Sequence, residues 1–150
     1  MTDESTIHAS AILVGPKATL IRGPAGSGKS LLTWNLLAAA AQGLLPFARL
    51  VGDDRVHVDA RSGRLLVRPE QSLTGLIEIR GLGIRRIPYE AAAIVGLAVD
   101  LAAADGSRLP EAAAGRTILC GVTLPRLAVA AGMAPLPMVL AALGTRAAGD

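Results

Sequence analysis

At 150 residues, 51% of them hydrophobic and with a formal charge of +3, the chain has the length and apolar content of one compact domain. It lacks the clustered basic surface of a nucleic-acid binder: no run of arginines exceeds Arg85-Arg86, and one Trp, one Tyr and one Phe leave no aromatic platform for stacking bases. The single cysteine, Cys120, excludes an internal disulfide and any multi-cysteine metal site and reads as a small buried hydrophobe.

The opening Met1-Thr2-Asp3-Glu4-Ser5-Thr6 is polar and acidic, the reverse of a signal peptide. Leu36 to Ala41 is too short to span a bilayer, and Ala91 to Ala104 is broken by Gly96 and Asp100, so a cytoplasmic protein without membrane contact is expected. In chain order, Ile7 to Val14 predicts a strand carrying His8. Gly15-Pro16-Lys17 then signals a turn into a strand over 18–21. Leu31, Leu32, Trp34, Leu36 and Leu37 are apolar at helical spacing, predicting a helix from Ser30 to about Gln42-Gly43, with the glycine as its cap. Leu44 to Phe47 is an irregular link. Arg49 to Asp54 reads as a strand ending on two acids, and 55–59 continues extended. Arg61-Ser62-Gly63-Arg64 turns into a strand that Arg68-Pro69 breaks. Leu76 to Arg80 alternates apolar and polar residues, the sign of a half-buried strand, and Gly81-Leu82-Gly83-Ile84 reads as a loop or bulge. Ile94 to Leu101 is a further strand, 104–117 a polar, Ala-rich excursion, and 122–129 around Pro125 carries no clear pattern. Leu136 to Leu143 predicts a closing helix with Gly144 at its cap, after which the chain frays from Thr145. No repeat or linker divides the sequence, so residues 1–150 read as a single domain.

The most informative stretch is Gly23-Pro24-Ala25-Gly26-Ser27-Gly28-Lys29-Ser30. It fits the phosphate-cradling pattern G-x-x-x-x-G-K-[ST], with an apolar strand before it and a helix after it. Its glycines let successive N–H groups turn inward on an anion, and the helix N-terminus adds partial positive charge. Lys29 would reach the β/γ-phosphates of ATP, and the Ser30 hydroxyl would ligate Mg²⁺. The scattered arginines fit the same phosphate chemistry.

Phosphoryl transfer also needs carboxylates, one to share the metal and one to take the acceptor's proton. Asp53 and Asp54 follow an apolar strand, where a metal-serving acid would sit; the alternative is a solvated turn. Neighbouring strand residues point to opposite faces, so only one of the pair can face the nucleotide. Glu78 stands between Ile77 and Ile79, either serving the site or pairing with Arg80 two residues on. His8 reads as a core histidine or a catalyst, and His57 as a surface residue.

Together, Ile7-His8-Ala9, Gly23 to Ser30, Val51-Gly52-Asp53-Asp54-Arg55-Val56 and Ile77-Glu78-Ile79-Arg80-Gly81-Leu82-Gly83-Ile84 resemble the catalytic domain of HPr kinase/phosphorylase over about residues 7 to 130. That bifunctional enzyme phosphorylates a serine of HPr, the phosphocarrier protein of the bacterial phosphotransferase system. The resemblance implies an α/β P-loop domain with a mixed twisted sheet, similar to HPr kinase and phosphoenolpyruvate carboxykinase, and a homo-oligomer, the family forming hexamers. His8, 21 positions before Lys29, matches the family's histidine. Lys29 matches its lysine, Ser30 and Glu78 its magnesium ligands, and Asp54 its acid/base aspartate, with Asp53 and Arg80 in support. Arg108 matches its further arginine, with Arg116 close by. The chain looks like the short form that has only the catalytic domain, and the segment between Lys29 and Asp54 runs longer than usual. The family's loop tied to dephosphorylation should follow Leu124 to Leu127, but at 128–133 its prolines and arginines are missing, which argues against the reverse reaction. The expected activity is ATP-dependent transfer to an HPr serine. The alternatives are a small-molecule kinase of the same fold and a nucleotide-sensing module without transfer.

Overall fold

The computed structural model describes residues 4–149. Its centre is a mixed sheet built on the hairpin of β2 (Ala9–Val14) and β3 (Lys17–Arg22), closed by Gly15-Pro16. β4 (Ala48–Gly52) lies antiparallel to β2 and so runs in the same direction as β3. On the other side β3 pairs in parallel with β9 (Ala93–Leu101), and β9 pairs in parallel with β11 (Val122–Val129). Four strands, β3, β4, β9 and β11, therefore deliver their carboxyl ends to one edge, where ligands of open α/β sheets bind. β10 (Arg116–Leu119) pairs antiparallel with the first half of β11.

The beginning of β9 also pairs with β6 (Arg64–Pro69), joining the central sheet to the antiparallel set of β6, β5 (Val56–Arg61) and β1 (Glu4–Ile7). Alternation along the strands splits the core in two. Ala11 and Leu20 face Val58, Leu65 and Val67 of the second set, whereas Ile12 and Ile21 face the helices. The helical layer is α1 (Lys29–Ala41) and α2 (Pro135–Gly144). No aromatic ring is buried: Trp34, Phe47 and Tyr89 are all exposed, and the interior is aliphatic, as the composition requires.

The helix α1 buries Leu32, Thr33, Leu36 and Ala39, while Leu31 and Trp34 face out, so the apolar stripe is narrower than the sequence suggests. Its end is a Schellman motif, with Gly43 N–H bonded to Ala40 O (3.0 Å) and Leu44 N–H to Ala39 O (2.9 Å).

Several expected elements differ in detail. The strand expected over 7–14 breaks at His8, which is exposed where the chain passes from the second strand set into the central sheet. β4 stops at Gly52, before both acids. β6 continues through Arg68 to Pro69 rather than ending there. Of the Gly81–Ile84 stretch, expected as a loop or bulge, Gly81 and Leu82 lie in the turn of a hairpin, whereas Gly83 and Ile84 open its second strand: β7 (Leu76–Ile79) pairs with β8 (Gly83–Arg86), which is exposed throughout. The unpatterned 122–129 is β11, which pairs with β10 through 122–125 and with β9 through 126–129. Pro125 thus sits where the partner changes. Cys120 is half-buried in the β10–β11 turn, packed against the core rather than within it.

Candidate active site

β3 ends at Arg22, the loop follows, and α1 begins at Lys29. Gly28 caps α1 with φ +97°, which L side chains rarely adopt, and no side chain caps the helix. The amides of the first turn thus have no acceptor within the helix and face the loop's concavity. A Cβ at Gly23 would lie 2.6 Å from Ser27 Oγ, so the close fold of the loop on itself depends on glycine there. Ser27 Oγ is sealed from solvent without a hydrogen-bond partner. Lys29 Nζ donates to the carbonyls of Gly23 (2.8 Å) and Pro24 (3.1 Å), lying across the loop.

Asp53 is the centre of the arrangement and is only 4% exposed. Its Oδ1 accepts from Ser30 Oγ (2.7 Å) and from the buried Ser10 Oγ (2.6 Å). Its Oδ2 accepts from Ser30 Oγ (2.8 Å) and from the Glu78 backbone N–H (3.1 Å). No cation pairs with it among the described residues.

The expectation that the two acids alternate on a strand is corrected, although they do diverge. Arg55 N–H bonds to Asp53 O at 2.8 Å around Asp54, whose φ is +69°. An i→i+2 bond about a residue at positive φ is a γ-turn, rare and strained. It turns Asp53 into the protein and leaves Asp54 exposed with no side-chain partner among the described residues.

Glu78 is exposed, not half-buried, and makes no ion pair with Arg80, which lies in the hairpin turn beyond β7. The hairpin is anchored by Ile77, 1% exposed, and by Ile87 N–H to Gly75 O (2.9 Å). The following segment docks on β4 through Glu90 N–H to Leu50 O (2.7 Å) and Arg49 to Glu90 (2.9 Å). His8 follows Ile7, which pairs with Val56, and precedes Ala9, which pairs with Arg22; it therefore stands at the P-loop edge beside the Asp53 bend. Arg108 is exposed on the excursion after β9. It lines a cavity of about 650 Å³ that shares Met133 with a smaller one against Ser27. Arg116 opens β10. The bonds thus join the P-loop, Asp53 and Glu78, whereas His8, Asp54 and Arg108 share the edge without a side-chain bond to that cluster.

Sequence reading missed three side-chain clusters. Asp100, at the end of β9, receives Arg22 twice (2.6 and 2.8 Å) and also Arg126. Arg126 further bonds both oxygens of Asp105 (2.7 and 3.0 Å) and the Ala114 carbonyl (3.0 Å). Hydrogen bonding to Asp105 holds Arg126 firmly protonated, and the same bond lowers the Asp105 carboxyl below its ordinary value. His57, expected at the surface, is half-buried between Thr6 Oγ1 (3.0 Å) and Glu70 Oε2 (2.8 Å). Buried Asp59 receives Arg61 at 2.6 Å. An isolated acid or arginine carries no local signal of its partner. Ser10, the partner of Asp53, went unread as well, although a polar residue in an apolar strand is a visible signal.

No family model and no curated protein matches the chain. Among solved structures it is similar to the Hpr(Ser) kinase/phosphatase from Coxiella burnetii, at 22% sequence identity and TM-score 0.71, with 91% of each chain covered. The fold is that of this kinase/phosphatase. The mixed sheet, the P-loop delivered by a hairpin and the two helices agree with the α/β architecture expected from the sequence. No helix among the described residues is long and apolar enough to cross a membrane.

Proposed function

We propose that the chain is an ATP-dependent serine kinase acting on an HPr-type phosphocarrier protein, working as a homo-oligomer. Asp53 carries the reading. One buried carboxylate accepts from the P-loop serine, from Ser10 and from the Glu78 amide, so three of the four stretches on which the resemblance rests meet at one point. The fold shared with an Hpr(Ser) kinase/phosphatase supports it.

ATP phosphates lie on the first-turn amides of α1, and Lys29 exchanges its two carbonyl partners for phosphate oxygens. The donors fit a magnesium ion: a hydroxyl that donates to Asp53 keeps its lone pairs for a cation, and Mg²⁺ commonly takes one or two protein oxygens beside substrate phosphates. Ser30 and Glu78 would hold it, backed by Asp53. When bound there it neutralises charge on the β/γ-oxygens.

Asp54, exposed at the turn, takes the proton of the acceptor serine as its Oγ attacks the γ-phosphorus. That O–P bond forms as the bond from phosphorus to the ADP oxygen breaks. His8 and Arg108 position and stabilise the group in transit. The proposal covers the forward reaction, because 128–133 lacks the arginines expected for the reverse one.

The test is transfer of labelled phosphate from ATP and Mg²⁺ to purified HPr, followed by a chase with inorganic phosphate. Label on an HPr serine that survives the chase is the expected result. Label that is then released would add phosphorylase activity. ATP binding without label on HPr would remove the HPr reading and leave a small-molecule kinase or a nucleotide sensor.

A further inference from the structure

The same edge holds a cavity of about 200 Å³ that the phosphate chemistry leaves unused. Its walls are Ser27 of the P-loop, Leu101 and Ala102 at the end of β9, and the run 129–133 leaving β11, with Pro135 beyond. No charged side chain lines it, and Ser27 contributes the sole side-chain hydroxyl of that lining. That hydroxyl is buried and without a partner, a cost that a ligand acceptor would relieve.

Resting on the reading that Gly23–Ser30 binds a nucleoside triphosphate, we propose that this cavity seats the purine base. Its position fits, because Ser27 belongs both to the phosphate loop and to the cavity wall, and the cavity lies outside the carboxyl ends of parallel strands. Its chemistry fits as well. Uncharged walls of Leu, Ala and Val disfavour a second phosphate and accept a flat, weakly polar ring, with the Met133 thioether available to its edge or face. The polar edges of the base are then read by the backbone of 130–132, and Ser27 Oγ, sealed in this structure, gains its acceptor by turning toward the ring. The volume suits one bicyclic ring without its sugar and phosphates, which extend onto the open cradle.

Calorimetric titration of the full chain, with Mg²⁺ and either ATP or inorganic tripolyphosphate, separates the seat from the cradle. Wild type is expected to bind ATP about tenfold more tightly than tripolyphosphate. Ala131→Trp, which fills the cavity from an exposed position, is expected to erase that advantage while tripolyphosphate binding stays within about twofold. Met133→Ala, at a residue 45% exposed, is expected to weaken ATP alone by about threefold. Retained tripolyphosphate binding also shows that each variant is folded. An undiminished ATP advantage in both variants overturns the seat and leaves the cradle standing, and so does equal weakening of both ligands by Ala131→Trp. Failure of wild type to bind either ligand overturns the nucleotide reading itself, and the seat falls with it.

Discussion

Asp53 and Asp100 both follow or end strands that run toward the P-loop edge, yet they are satisfied in opposite ways. Asp53 is buried and accepts only from neutral donors, namely two serine hydroxyls and an amide. Asp100 is clamped between two guanidiniums, Arg22 and Arg126. A carboxylate held by neutral donors keeps its charge uncompensated and so can attract a cation brought by a ligand. One that is neutralised by arginines has nothing left to offer and serves as a fastener. The first arrangement suits a metal-nucleotide site. The second ties the strand leading into the P-loop to the excursion that carries Arg108.

The largest effect is expected beside the first hub. On the proposed roles, Asp54→Asn lowers kcat for phosphate transfer about a thousandfold while ATP affinity and stability stay near wild type, because asparagine also tolerates positive φ. Equal loss of transfer and ATP affinity, measured by kinetics and calorimetry, would assign Asp54 to structure or metal instead. Next is Asp53→Ala, which strands the buried Ser10 hydroxyl and the Glu78 amide. It should cost about 3 kcal/mol in urea unfolding and abolish the gain in ATP affinity that Mg²⁺ provides.

At the second hub, Arg126→Met should destabilise by only about 1–2 kcal/mol. Its clearer signature is amide exchange over 102–115 faster by about tenfold, with β2 and β3 unchanged. Loss of ATP affinity in this variant would mean that the two hubs are not separable.

The smallest effect is a pH dependence. Asp105 is held below its ordinary 3.8 by Arg126, so the folded state binds that proton more weakly than the unfolded one. The clasp is therefore complete above the ordinary value and opens as the pH falls through the lowered one. Exchange over 102–115 should rise only on that acid side, and Asp105→Asn should remove the dependence.

Features written in contiguous residues were legible. The β2–β3 hairpin, the loop between β3 and α1, and α1 itself read correctly because Gly-Pro, the eight-residue loop pattern and helical apolar spacing are each contained within a few turns of chain. Strand β8, which makes β7 one arm of a hairpin, and strand β11 were not. β8 is exposed throughout and so has no apolar alternation to betray it. β11 changes partners at Pro125, and its direction is set by β9, more than twenty residues earlier. Among the candidate site residues, Ser30 and Lys29 are marked by pattern alone. Asp53 reads from the sequence only as a supporting residue, because nothing local shows that Ser10 and the Glu78 amide converge on it.

By itself, then, the sequence determined a strand–loop–helix unit carrying the P-loop pattern, an aliphatic core without buried aromatics, and the acids that stand as candidates beside that loop. These follow from local backbone preference and composition. Only the tertiary structure decided which acid turns inward, since a γ-turn rather than strand alternation separates Asp53 from Asp54. It alone decided that four strand ends share one edge, that His8 stands exposed there, and that Asp100 is spent on two arginines. Each of these depends on pairing between residues far apart in the chain, which no window of sequence contains.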